Sequence, residues 1–211
     1  MFFVGREKET RAILRALEGG RNVLLQGRFG IGRTALTRHV SEVMGDRWHF
    51  HFLDFSETPR LMCHMLFEEL HAGPCSRRPR KPMRYKAERY RILQKDMPDK
   101  KHHVIVFDNV AKLTRAKIAM LRHFRAEERF PVVAIIESFL EEKELRVLSA
   151  ILAPTTRLSL GYLSETESHA LLSHVSATRR LKWNEAYIRM LAETARGYPL
   201  GMVRRPLIRG F

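Results

Sequence analysis

One stretch limits the folds open to this chain more than any other, Val23 to Thr34, VLLQGRFGIGRT. A short apolar run, Val23-Leu24-Leu25, meets a turn with glycines at 27, 30 and 32, and a helix-like segment follows to about Met44. Gly27 and Gly32 with Arg33-Thr34 give the spacing G-x-x-x-x-G-[basic]-T, that of a phosphate-binding loop between strand and helix, with arginine where lysine is usual. Glycines let the backbone curl until successive N–H groups point at one anion. The N-terminus of the following helix adds its dipole to the same place. In such a loop the Thr34 hydroxyl is a Mg²⁺ ligand and the basic side chain reaches the outer phosphates. Arg33 keeps the charge but replaces a compact ammonium with a planar fork.

A second apolar run, Val104-Ile105-Val106-Phe107, ends in Asp108-Asn109. A buried strand of this kind carries Asp108 to its C-terminal end, where a carboxylate can hold a Mg²⁺ ion and its waters. The usual next residue is a glutamate that takes a proton from the attacking water. Asn109 can hold a water but cannot accept its proton. Further strands are expected at Trp48 to Phe55, Pro131 to Ile136 and Arg157 to Leu160. Helical spacing is expected at about 7–18, 58–71, 115–125 and 140–152. Strands alternating with helices give βαβ units and a mostly parallel sheet covered on both faces. After Gly161 the pattern is helical, opening on the capping box Ser164-Glu165-Thr166-Glu167, with Asn184 capping a further helix. The break Gly197-Tyr198-Pro199-Leu200-Gly201 then precedes a final basic helix or tail, Met202 to Arg209.

Charge is the other strong constraint. With 38 Lys plus Arg against 23 Asp plus Glu, the formal net charge is +15, and a charge of this size attracts polyanions. Nucleic acid is the natural candidate partner; a solvated basic surface, or a face meeting an acidic protein, is the alternative. Residues 72–91 form the clear interruption in regular structure and are expected as a basic insertion. There Arg77, Arg78, Arg80, Lys81, Arg84 and Lys86, followed by Arg89 and Arg91, interleave with Tyr85 and Tyr90, a composition that can grip phosphates and stack bases or else stay solvated. His49 and His51 fall on one face of their strand, but no third ligand stands at a metal-binding spacing, and a structural role is expected for them. Cys63 and Cys75 have no disulfide or CxxC spacing. Charge begins at Arg6, no run is long enough to span a membrane, and the expectation is a cytoplasmic chain without a secretory leader.

Taken in order, these motifs resemble those of the AAA+ ATPases and their P-loop relatives, particularly the initiator, transposition-regulator and signalling branches. Phe3 to Glu7, FVGRE, is similar to the N-terminal box whose backbone, at Val4 and Gly5, lies near the adenine. GRFGIGRT resembles Walker A, with Gly27, Gly30, Ile31, Gly32, Arg33, Thr34 and Ala35 at the nucleotide, and VIVFDN resembles Walker B, with Asp108 and Asn109. Ser138 falls at sensor 1, and GYPLG, with Pro199, is similar to the lid motif. The resemblance implies an α/β fold: a P-loop NTPase parallel sheet of five strands in the order five-one-four-three-two, helices on both faces, and then a small helical lid. It divides the chain into a nucleotide-binding core, 1–161, and a lid, 162–211.

The resemblance further implies ATP or ADP with Mg²⁺ at Thr34 and Asp108. It implies a homo-oligomer or AAA+-type assembly in which an arginine, Arg157 by position or Arg146, completes a neighbouring subunit's site. Arg204 or Arg205 is the corresponding lid arginine. Arg33 and Asn109 depart from the pattern at phosphate binding and at water activation, so slow or absent hydrolysis is expected. The function expected is a nucleotide-dependent oligomeric switch on DNA, of regulator or initiator type and without a dedicated DNA-reading domain. The alternatives are a signalling or adaptor ATPase controlling a protein partner, and a structural pseudo-ATPase.

Overall fold

The computed structural model of the chain describes residues 3–71, 92, 101–126 and 130–204. Its order is α1 (Glu7–Glu18), β1 (Asn22–Gly27), α2 (Arg33–Val43), β2 (Trp48–Asp54), α3 (Pro59–His71), β3 (His102–Val110), α4 (Arg115–Ala126), β4 (Val132–Ile136), α5 (Glu142–Ile151) and β5 (Thr155–Leu160). Three helices follow: α6 (Glu165–Thr178), α7 (Glu185–Ala195) and α8 (Pro199–Arg204). The strands form one parallel sheet in the order β2-β3-β4-β1-β5, the order that the resemblance implied.

Parity along the strands explains why the apolar runs are continuous. Successive side chains point to opposite faces, and helices cover both, so each residue of a central strand needs an apolar partner. Leu24, Ile105, Phe107, Ala134 and Ile136 face one layer, packed with Met62 and Leu66 of α3, Met120 and Phe124 of α4, and Leu145 and Leu148 of α5. Their strand neighbours Val23, Leu25, Val104, Val106, Val133 and Ile135 face the other, against Ile13 and Leu17 of α1 and Leu36 and Val40 of α2. The helices α6, α7 and α8 enclose a separate small core of Leu172, Ile188, Ala192 and Met202.

The local signals formed as written. Ser164 accepts from the Glu167 N–H while the Glu167 carboxylate accepts from the Ser164 N–H, closing the capping box of α6. Asn184 accepts from the Tyr187 N–H at the start of α7. Several boundaries moved. β3 begins at His102 rather than Val104, because Trp48 and His49 pair with His102 and His103 and extend the ladder through polar residues. Pro199-Leu200-Gly201 does not separate two helices but opens α8, with proline at the first helical position, where its missing N–H costs nothing. No helix among the described residues is long and apolar enough to cross a membrane.

Asn22, at the start of β1, is a polar keystone in this core. It is 4% exposed, donates from Nδ2 to the Leu152 carbonyl at 2.6 Å and accepts from the Val132 N–H at 2.7 Å, so it ties the end of α5 to the start of β4. Asn22→Leu keeps the volume but strands both backbone groups, at a cost of about 1–3 kcal/mol for each. We expect urea unfolding of this variant to show a lower midpoint with an unchanged slope.

Candidate functional site

The loop between β1 and α2 needs its glycines for two separate reasons. Gly30 has φ 74°, and a Cβ there would come within 2.6 Å of Leu200 and of the Tyr198 hydroxyl. Both sterics and backbone therefore demand glycine. Gly32, at φ 99°, faces open space where a Cβ would meet nothing within 4 Å, and α2 starts on the next residue. A cleft of about 360 Å³ opens here, lined by Gly30, Gly32, Thr34, Asn109, Glu137 and Pro199. It runs into a slot of about 230 Å³ formed by Phe3, Val4, Arg6, Ile31, Leu163 and Leu171. Polar loop amides beside an apolar slot match the two halves of a nucleotide, phosphate and base. A larger open hollow of about 940 Å³ lies at the other end of the sheet, near Trp48 and His102, and contains none of these groups.

The predicted cation ligands are together. The Thr34 hydroxyl donates to Asp108 Oδ2 at 2.9 Å, two oxygen donors of the kind that a hard divalent ion takes. Asp108 is aimed by a local irregularity. Asn109 adopts φ 60°, and the β3–β4 register shifts between Phe107 and Val110, a bulge that turns the strand end toward the loop. Asn109 uses its own N–H on Asp108 Oδ1 at 2.9 Å and donates from Nδ2 to Asp54 Oδ1 at 3.2 Å. Asp54 lies beside Asp108 in register and was not singled out in the sequence. Burial pushes the Asp54 carboxyl up, but hydrogen bonds from Ser56 and Asn109 and the charge of Lys117 outweigh this and hold it below its usual value. Lys117 is itself buried, over the Phe55 ring and bonded to the Phe55 carbonyl. Burial lowers its pKa against the opposing pull of Asp54 and Glu57.

Arg33 does not extend along the loop. Its guanidinium crosses to the end of β4, donating to the Ile136 carbonyl and to Glu137 Oε1, the latter at 2.7 Å. The pair is almost dry, Arg33 being 6% and Glu137 11% exposed. Glu137 thus occupies the wall of the cleft where Ser138 was expected; Ser138 is exposed in the next turn and does not line the cleft. Nothing in the spacing marked Glu137, because its role comes from a partner 104 residues away.

The predicted lid reaches the loop, and the predicted N-terminal box is tied to the start of the lid. Tyr198 donates its hydroxyl to the Phe29 carbonyl at 2.9 Å, and the Leu200 N–H donates to the Gly30 carbonyl at 3.2 Å. Arg6 is held at φ 67° and is 7% exposed. Its N–H donates to Glu167 Oε1 at 3.2 Å and its guanidinium bonds to the Gly161 carbonyl and to Glu9. Gly5 lies so close that a Cβ would come within 2.1 Å of Glu167 Oε1. Burial raises the Glu167 pKa, and the bonds from Ser164 and Arg6 more than reverse it, so this carboxylate sits below its usual range.

The arginines expected to act on a neighbour are not brought to this chain's own cleft. Arg157 lies within edge strand β5, rather than just before it, and donates to Ser149 Oγ at 2.7 Å. Arg146 pairs with Glu142 on α5 at 3.3 Å. The side chain of Arg204, and Arg205, Arg77, Arg78, Arg80, Lys81, Arg84 and Lys86, lie outside the described residues.

Comparison with known proteins follows this geometry. The family model of the AAA domain matches residues 15–143, more than half of the chain. Among solved structures, the Aeropyrum pernix ORC1 protein in complex with DNA superposes with a TM-score of 0.60 at 18% identity, covering 92% of this chain and 61% of that one. The Thermotoga maritima RuvB Holliday junction branch migration motor gives 0.59 at 16% identity, covering 96% and 60%. The S. cerevisiae Hsp104:casein complex gives 0.65 at 16% identity, covering 95% and 36%. The chain thus spans about three fifths of the length of the first two. Curated protein sequences gave no match. At these identities the structural likenesses speak for the fold, and the family model agrees with them: the chain belongs to the AAA domain family, P-loop ATPases built on this five-stranded parallel sheet.

Proposed function

We propose that the chain is an AAA+-type nucleotide-dependent switch that assembles on DNA and turns ATP over slowly or not at all. One observation carries this reading: the basic residue of the loop is held across the cleft by a carboxylate, Arg33 to Glu137, while the cation pair Thr34–Asp108 is intact. The residues fit a nucleotide. The amides around Gly32 and the first turn of α2 suit the phosphates, and Thr34 and Asp108 suit Mg²⁺. The slot of Val4, Ile31 and Leu163 suits the base. Bound Mg²⁺ would supply neutralisation of phosphate charge.

Arg33 then acts as an exchangeable clamp. A guanidinium prefers a bidentate oxyanion partner, and a phosphate at the loop competes with Glu137 for it. Release of Glu137 frees the end of β4, and the lid senses the loop directly through Tyr198 and Leu200. Asn109 is committed to Asp54 and cannot take a proton, a loss worth about 10²–10⁴-fold in rate. The DNA half of the reading is supported by the +15 charge and by the DNA that the ORC1 relative binds. The assembly half is supported by Arg157, exposed on edge strand β5. Phe29 and Phe139, 64% and 70% exposed beside the cleft, favour a protein partner, a second copy included, at the same mouth.

Three measurements test this. A fluorescent ATP analogue should bind saturably in the micromolar range, a free energy of about −8 kcal/mol. Binding should require Mg²⁺ and be lost in Arg33→Ala, and Asp108→Ala should lose the part of the affinity that Mg²⁺ supplies; wild type that binds no nucleotide would sink the proposal. Removing one member of the dry ion pair strands the other, so Arg33→Met should lower unfolding stability by about 3 kcal/mol or more. Arg33→Met/Glu137→Gln should recover most of that loss, which a double-mutant cycle in urea reads directly. Duplex DNA affinity should differ between nucleotide states and fall linearly in log–log form with salt. DNA binding absent in every nucleotide state would transfer the switch to a protein partner.

A further inference from the structure

Three imidazoles meet at the free edge of the sheet, away from the nucleotide cleft. His49 and His51 lie two apart on β2, hence on one face, and the parallel register sets His103 of β3 opposite His49. The sequence spacing gave two candidate ligands; strand pairing supplies the third. Their rings are stacked, with centroids 4.6 Å apart for His49–His51, 5.2 Å for His51–His103 and 5.6 Å for His49–His103. One ligand nitrogen from each falls within 4.8 Å of the others.

The orientation of the central ring is fixed from outside. His51 is 1% exposed, and its Nδ1 lies 2.8 Å from Glu69 Oε2 on α3. The Glu69 carboxylate accepts a hydrogen bond from His51 Nδ1–H, which leaves Nε2 with its lone pair, 2.9 Å from His103 Nδ1. A carboxylate–imidazole pair of this kind is the arrangement that holds metal-ligating histidines in the right tautomer. His103 is 7% exposed and His49 is exposed, so an ion can reach the trio from solvent.

We propose that His49, His51 and His103 form a binding site for a divalent transition-metal ion of the zinc class, with Glu69 as the orienting carboxylate behind His51. Three neutral imidazoles suit Zn²⁺ over Mg²⁺ or Ca²⁺, which take oxygen. Zn–N bonds of 2.0–2.1 Å set tetrahedral nitrogens about 3.3 Å apart, between the 2.9 Å of His51–His103 and the 4.8 Å limit of the trio. Small side-chain rotations close the site, and the fourth position falls to water. The ion would staple edge strand β2 to β3, and through Glu69 to the last turns of α3. At about 3.3 Å per residue, His51 lies about 10 Å along β2 from Asp54 and the nucleotide cleft, so the two sites are distinct.

The test uses the untagged full chain, freed of metal by chelation and titrated calorimetrically with Zn²⁺ in excess Mg²⁺, which keeps Asp108 occupied. One equivalent should bind, and the melting temperature should rise with Zn²⁺. His49→Ala, at an exposed position, should lose at least tenfold in Zn²⁺ affinity with an unchanged circular dichroism spectrum and unchanged nucleotide binding. Glu69→Gln should lose 10–100-fold. Co²⁺ in place of Zn²⁺ should give the intense visible bands of a tetrahedral site, absent in His49→Ala. Zn²⁺ binding weaker than about 10 μM in wild type, or binding that His49→Ala leaves unchanged, overturns the proposal.

Discussion

A backbone that water cannot reach on either side must pair its polar groups with neighbouring strands, and β1, β3 and β4 are in that position. Their faces are filled from both layers, so their order and register are set by the sheet itself. The groups of the nucleotide cleft collect at their C-terminal ends: Gly27 ending β1, Asp108 near the end of β3 and Glu137 just beyond β4. The cleft is the termination of the core, and its precision derives from strands that have no freedom to shift. A strand slipping by one residue would exchange its Leu24-type and Val23-type faces and expel both layers at once.

Within that frame the two departures from the usual loop chemistry are not isolated. Arg33 has a carboxylate waiting for it at the end of β4, and Asn109 has one at the end of β2. In each case the non-standard residue hydrogen-bonds to an acid on an adjacent element, Glu137 in the first and Asp54 in the second. Asn109 also bends β3 at its bulge, and the bend aims Asp108 at Thr34. The site is a coherent alternative set of contacts: the Thr34–Asp108 oxygen pair is in place, the loop's arginine is paired to Glu137, and an amide stands where a carboxylate base is usual. The charges that Arg33 and Asp54 bring to the site each have a partner there. Decay would leave buried charges unpaired, at a cost of several kcal/mol each.

Much of this was readable from the chain. Gly27 to Thr34, the apolar run into Asp108, the capping box at Ser164 and the cap at Asn184 are local patterns whose physics acts over a few residues. Sheet order came from the family resemblance and held. What could not be read were partners assembled by register or by crossing the cleft. Glu137 has meaning through Arg33, Asp54 through Asn109, and His103 through strand pairing with His49. The residue after the fourth strand that lines the cleft is Glu137, one before the Ser138 that the resemblance implied. The extension of β3 through His102 and His103 was hidden because two histidines carry no strand signal of their own; it comes from their partners Trp48 and His49.

The lid rests on the loop through carbonyl oxygens, those of Phe29 and Gly30. In a planar trans peptide the N–H of the next residue points opposite to the carbonyl, so holding these two oxygens also fixes the direction of the Gly30 and Ile31 amides. The helical appendage is therefore a mould for the loop's dipoles as well as a cover. The Ile31 N–H is turned to the Arg28 carbonyl, so it is for the Gly30 amide that part of the ordering entropy of an anion complex is already spent by Tyr198 and Leu200. Affinity for an anion and the seating of α8 become two expressions of one equilibrium, each strengthening the other by the same factor.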